Sequence, residues 1–134
     1  MIGFSYYSAH GVRNGKLAPF PESEKQSPLG YAIWPDGLAR VLQRLHSELP
    51  DTPLLIAEYG IGTDNDTERS EYLTAGLEII KQFLKTGVDI RGFFHWTAVD
   101  NYEWLHGYKL RFGIINSDRT LKPSAEVLRR AASQ

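Results

Sequence analysis

TPLLIAEYGIG, residues 52–62, is an apolar run that ends abruptly in a carboxylate, Glu58. Pro53 and Gly60 bound the run, and Leu54-Leu55-Ile56-Ala57 within it is unbroken. Such a segment suits a strand buried on both faces. A charge at the end of a buried strand is costly unless it is paired or needed. Taken alone, Glu58 fits a helix cap or the partner of an arginine as well as a functional group. The sequence on either side has to decide.

Upstream, Trp34-Pro35-Asp36-Gly37 opens a helix, with Pro35 in the first turn, where its missing donor costs nothing. Leu38, Leu42, Leu45 and Leu49 recur at helical spacing and Pro50 ends the element. Downstream, Asp66 suits an N-cap, and Leu73, Leu77, Ile80 and Leu84 make a second apolar stripe. Gly87 stands where a C-terminal glycine stops a helix. Ile2–Ser8 and Val88–Thr97 read as further strands, and Pro123 opens a last helix to about Ala132. Ala9–Ala32 reads as a long irregular loop, and Ala98–Gly113 as a long aromatic one.

Strand and helix therefore alternate three times, in units 1–50, 51–87 and 88–134 of one domain. This order predicts an α/β fold with parallel strands joined by right-handed crossovers. Loops leaving the strands are long, whereas returns from helix to strand are short. In barrel enzymes the long-loop face carries the site.

Composition removes several function classes. The 134 residues are 42% hydrophobic and 23% charged, ordinary values for a globular domain. A net charge of -1 gives no electrostatic case for nucleic acid or an anionic membrane. Cysteine is absent, and His10, His46, His95 and His106 show no metal-ligand spacing, so no metal or cofactor is expected. No run approaches the roughly 18 apolar residues of a membrane span, and no leader pattern opens the chain, so a cytoplasmic location is expected. Met1 runs straight into a strand, as though an upstream part were missing.

The segment His95–Gly113, HWTAVDNYEWLHGYKLRFG, sets Trp96 and Trp104 among Asp100, Asn101 and Glu103. Flat aromatic faces beside carboxylates and amides suit the C–H faces and hydroxyls of a sugar. The same composition also suits a loop pinned by buried tryptophans. With GFSYYS (3–8), YAIWPDGL (31–38), LLIAEYG (54–60) and the terminal KPSAEVLRR, these stretches resemble the C-terminal part of family 1 glycoside hydrolases, the retaining β-glucosidases and β-galactosidases. The resemblance covers essentially the whole chain. It matches the sixth to eighth strands of that family's (β/α)8 barrel, so it implies a partial barrel of three βα units.

The resemblance implies roles residue by residue. Glu58 falls on the nucleophile and Tyr7 on the residue that orients it. Glu103 falls on the carboxylate that binds the outer hydroxyls of the sugar, and Trp96 and Trp104 on the tryptophans lining its subsite. Ala57 replaces a usual threonine, and Tyr59 replaces an asparagine and stands to crowd the site. Ser5 is familiar from the phospho-sugar branch, but that branch carries a lysine and a tyrosine where this chain has Leu110 and Phe112. Glu103 without a nearby cation would repel a phosphate. Unphosphorylated β-glycosides are the expected substrates, by double displacement.

One part is lacking. Retaining glycosidases use two carboxylates roughly 5–5.5 Å apart, and the family's Asn-Glu-Pro acid/base motif does not occur here. The isolated chain is therefore expected to be inactive or very weak. Three strands would leave bare sheet edges, so it is expected to pair with a complementary N-terminal barrel fragment or to self-associate. The alternative is a non-catalytic, self-associating scaffold with at most weak sugar binding.

Overall fold

The computed structural model describes residues 1–18 and 25–133. Part of the long Ala9–Ala32 segment, residues 19–24, lies outside the described residues, as does Gln134. The elements run β1 (Ile2–Tyr6), β2 (Gly11–Arg13), β3 (Lys16–Ala18), α1 (Asp36–Glu48), β4 (Leu54–Tyr59), α2 (Asp66–Lys85), β5 (Ile90–His95) and α3 (Ser124–Ala132). The main sheet has three strands in the order β1-β4-β5, and β4 pairs parallel to both neighbours. This is the expected α/β architecture of an open, partial barrel. The centre of the sheet is the apolar run 54–57, and β1 and β5 form its two edges among the described residues.

Helix starts and stops follow local chemistry. In α1, Leu38 and Leu42 are fully buried, and Leu49 at its end is not. The cap of α2 falls one residue before the expected Asp66. Asn65 accepts from the backbone N–H of Thr67 (3.2 Å) and Glu68 (3.4 Å). Asp66 turns instead toward Arg69 and Ser124. Gly87 terminates the region after α2 with φ +90°, a conformation that glycine takes without strain.

The buried face of α2 is Arg69, Tyr72, Leu73, Gly76, Ile79 and Ile80. Leu77 and Leu84 of the expected stripe lie off this face, and Leu84 is 48% exposed. The helix is rotated so that Gly76 meets the sheet, where the Tyr59 ring occupies the space a side chain would need. A Cβ at Gly76 would lie 2.5 Å from the Tyr59 ring. In most helix interiors Gly→Ala gains up to about 1 kcal/mol. Here Gly76→Ala is expected to destabilise by about 1–3 kcal/mol through overpacking, read as a lowered urea midpoint with an unchanged slope.

Strand β4 does not alternate evenly. Its register against β1 shifts between Phe4 and Ser5, and against β5 between Ile56 and Tyr59, so β4 carries an extra residue on both sides. The bulge turns Ile56 and Tyr59, three residues apart, into the same core. Tyr59 stacks on Tyr72 (centroids 4.5 Å apart, planes 13°) and donates to the Tyr72 carbonyl at 2.9 Å. Such ring pairs add about 0.5–1.5 kcal/mol beyond area burial. Tyr59 therefore sits in the helix-side core and does not crowd the site, contrary to the sequence-based expectation.

On the other face of the sheet lie Gly3, Leu55, Ala57 and Gly92: a Cβ at Gly3 would meet Leu55 and Ala57, and one at Gly92 would meet Leu55 and Phe94. Phe94 is 59% exposed, and among the described residues no helix or strand opposes this face. Two features were not anticipated. The segment after β1 contains a β2–β3 hairpin that turns through Asn14-Gly15, both at positive φ. A buried Arg69 also ties together the loop ends, as described below. Among the described residues, no helix is long and apolar enough to cross a membrane.

Candidate functional site

The ends of β1 and β4 converge on one contact. The Tyr7 hydroxyl donates to Glu58 Oε2 at 2.6 Å, a length typical of a charge-assisted bond to a carboxylate. Burial first, and then the Glu58 carboxylate, push the Tyr7 phenol well above its ordinary range, so it stays a donor. Glu103 adds to that shift, which places its charge on the same phenol. Tyr72 holds the Tyr7 backbone, donating its hydroxyl to the Tyr7 carbonyl at 2.8 Å.

Beside this contact is a cavity of about 330 Å³. Tyr7, Trp96, Glu103 and Phe112 line it, with Gly60 and Tyr31. Gly60 is required here by space: a Cβ would fall 2.1 Å from the Trp96 carbonyl oxygen. Trp96 is the last link from β5 into the loop, joined to Thr97 by a cis peptide bond. Its N–H donates to the Tyr59 carbonyl at 3.0 Å. Glu103 accepts from Asn101 Nδ2 at 2.9 Å and lies in a short turn closed by backbone bonds to Gly107.

The structure thus brings Tyr7, Glu58, Trp96 and Glu103 together. It leaves Trp104 apart, 90% exposed and edge-on to Tyr102, outside the cavity wall. Asp100 serves the loop itself. It accepts from the Gly113 N–H (2.9 Å) and pairs with Lys122 (2.8 Å), both side chains being nearly enclosed. Leu110 and Phe112 are both 5% exposed. No lysine or arginine lines the cavity among the described residues.

Sequence reasoning missed four contributors. Tyr31 and Leu29 line the cavity, and Tyr31 packs edge-on to His10. Tyr31 begins the YAIWPDGL stretch, so the signal was present. Arg69, 1% exposed, donates to the carbonyls of Thr63 and of Arg111 (2.8 Å) and to Asp66, tying the loop after β4 to the loop after β5. His95, at the end of β5, sets Nδ1 2.9 Å from the Tyr59 carbonyl and Nε2 3.1 Å from that of Phe112. Burial pushes this imidazole down to about 4, against the pull of the two carbonyls, so it is neutral at pH 7.

No group of three or more histidines, aspartates or glutamates is placed to hold a metal ion among the described residues. Chemically, the site offers a carboxylate oriented by a phenol, a second carboxylate on the wall of the cavity that this phenol also lines, and an indole wall.

Comparison with known proteins gives a consistent result. A model of Glycosyl hydrolase family 1 matches residues 2–133. The bifunctional β-D-glucosidase/β-D-fucosidase of Bifidobacterium breve is 32% identical over 149 residues, covering 88% of this chain and 32% of that protein. The β-galactosidase of Sulfolobus acidocaldarius is 37% identical over 118 residues, covering 84% of this chain and 23% of that protein. The family 1 β-glucosidase from Thermotoga maritima, solved with isofagomine lactam, superposes with a TM-score of 0.87 at 27% identity, over 98% of this chain and 34% of that one. The chain therefore spans between 23% and 34% of the length of these relatives.

Proposed function

Because this chain belongs to glycosyl hydrolase family 1, we propose that it supplies the nucleophile side of a retaining β-glycosidase. The observation that carries this is the 2.6 Å bond from Tyr7 to Glu58 beside a cavity that Glu103 and Trp96 line. Tyr7 fixes one carboxylate oxygen and leaves the other to act. Glu58 attacks the anomeric carbon of a β-linked sugar, and the bond to the leaving oxygen breaks with its electron pair. A carboxylic acid from outside this chain protonates that oxygen. Water then resolves the glycosyl-enzyme, returning Glu58 as carboxylate. Glu103 accepts from the outer hydroxyls of the sugar, and Trp96 packs on its C–H face. Trp104 joins this subsite once its loop is covered. An acidic, cation-free wall favours unphosphorylated β-glycosides.

The test uses an activated 2-fluoro β-glucoside, whose good leaving group needs little acid help. Intact mass is expected to rise by one fluoroglucosyl group, mapping to Glu58. A folded chain that takes up no label overturns the reading.

A second reading follows from the sheet. The edge strands β1 and β5 and the exposed Phe94 on the open face describe a surface that demands a cover. We infer that the chain associates, with a complementary barrel fragment or with its own copies, and on its own is a scaffold rather than a catalyst. Sedimentation at micromolar concentration is expected to show species larger than a monomer. A compact monomer at all concentrations removes this expectation.

A further inference from the structure

We propose that His95 is a positioning residue, a clamp that holds the β4 end and the sugar-site loop at fixed separation and thereby keeps Tyr7 on Glu58. The proposal rests on the nucleophile role given to Glu58 above, but its geometry is independent of that role. The imidazole lies between two backbone carbonyls, Tyr59 on β4 and Phe112 in the loop after β5. Each leads back to the same contact. Tyr59 directly follows Glu58 in the chain. The Phe112 ring packs edge-on against Tyr7, with centroids 6.0 Å apart, and lines the cavity beside it. A shift of the Phe112 backbone therefore moves the surface on which the Tyr7 phenol rests.

The two carbonyls are not equally served without His95. That of Tyr59 already accepts the Trp96 N–H at 3.0 Å, whereas that of Phe112 has the Thr97 N–H at 3.4 Å. The imidazole is thus the better donor available to Phe112, and the loop side of the clamp has more to lose. A neutral imidazole carries one N–H, so it bonds one carbonyl and presents a lone pair to the other. Protonation supplies the second donor. The cations facing the imidazole are Arg69 from α2 and Lys122 from the segment before α3, each paired to a carboxylate, Asp66 and Asp100. On β4 the adjacent titratable groups are Glu58 and Tyr59.

The experiment compares the wild-type chain with His95→Phe, which keeps a ring and loses the N–H, and His95→Gln, which keeps a donor at the ε position toward Phe112. The primary readout is the Tyr7 hydroxyl proton by NMR at neutral pH, far downfield in a short bond to a carboxylate. It is expected in the wild type, lost in His95→Phe and restored in His95→Gln. The rate of Glu58 labelling by the 2-fluoro glucoside is expected to fall about 10- to 100-fold in His95→Phe, the scale of a misplaced reacting group, and to recover in His95→Gln.

An unchanged Tyr7 proton in folded His95→Phe overturns the clamp, as does His95→Gln behaving like His95→Phe. Should His95→Phe fail to fold, long-range proton–nitrogen spectra of the wild-type imidazole decide. One tautomer with a slowly exchanging N–H supports the clamp, and rapid averaging of both nitrogens overturns it. Absent labelling in the wild type, with the Tyr7 proton still answering to His95, would refute the glycosidase reading and leave the clamp standing.

Discussion

Glu58→Gln is expected to abolish covalent capture of the activated 2-fluoro glucoside and, in the completed barrel, to lower turnover about 10,000-fold, or about 5.4 kcal/mol of transition-state stabilisation. The size follows from the chemistry. An amide oxygen accepts the Tyr7 hydrogen bond nearly as the carboxylate does, so the 2.6 Å contact survives as a neutral bond. What is lost is the proposed nucleophile. Stability is expected to change by no more than about 1 kcal/mol, the worth of one hydrogen bond. The variant thus separates chemistry from folding, by intact mass for the first and denaturant unfolding for the second. Glu58→Ala sharpens the test. In the completed barrel, azide is expected to restore turnover by forming the new bond to the anomeric carbon from the vacated face, while the aryl oxide leaves with the bonding pair. An α-glycosyl azide is the product to look for. Capture of label by Glu58→Gln at the wild-type rate would move the nucleophile elsewhere.

The second large effect concerns stability. Asp66 is the joint of the long-loop end. It accepts the Ser124 N–H (2.8 Å) and hydroxyl (2.7 Å) at the start of α3, and it pairs with Arg69. Burial pushes its carboxyl up, but the Ser124 hydrogen bonds and the Arg69 guanidinium outweigh this and hold it below its ordinary value. Its contribution is therefore present above the unfolded carboxyl range and lost as pH falls through the lowered folded value. Asp66→Ala leaves the guanidinium of Arg69, 1% exposed, without its counter-charge. A broken buried pair of this kind costs about 3–5 kcal/mol. With so small a sheet to draw on, Asp66→Ala is expected to shift the urea midpoint by most of its wild-type value. Adding Arg69→Met is expected to recover part of the loss, because the stranded charge goes with it. The recovery is incomplete, since the carbonyls of Thr63 and Arg111 lose their donor. A double variant no more stable than Asp66→Ala would show that the cost lies in Ser124 and the cap of α3.

Much of this architecture was legible because periodicity and punctuation are local. Leucines at helical spacing, Pro50, Gly87 and Pro123 set α1, α2 and α3 to within a few residues. The Asn14-Gly15 turn was a local signal too, and its strands are so short that glycine and proline nearby outweighed it. The Asp66–Arg69–Ser124 joint was not legible. A pair at i, i+3 reads as a surface ion pair, and its third member is 58 residues away from Asp66. The site divides in the same way. Tyr7, Glu58 and Glu103 are recognisable as residues of a motif. Trp104, from the same motif, stands 90% exposed outside the cavity wall, a placement no local pattern states.

The bulge in β4 gives the site a dependence on parity. A strand presents its residues odd and even to opposite sides, and one residue too many exchanges the two sides from that point onward. In this chain the exchange falls between Ile56 and Tyr59. Pair the same residues in strict alternation, without the bulge, and the tyrosine is dealt to the open face, the carboxylate to the oil. The wanted chemistry then depends on the count as much as on the identity of the residues. Regular pairing through Ala57 would turn Glu58 inward while every letter of the strand stayed in place.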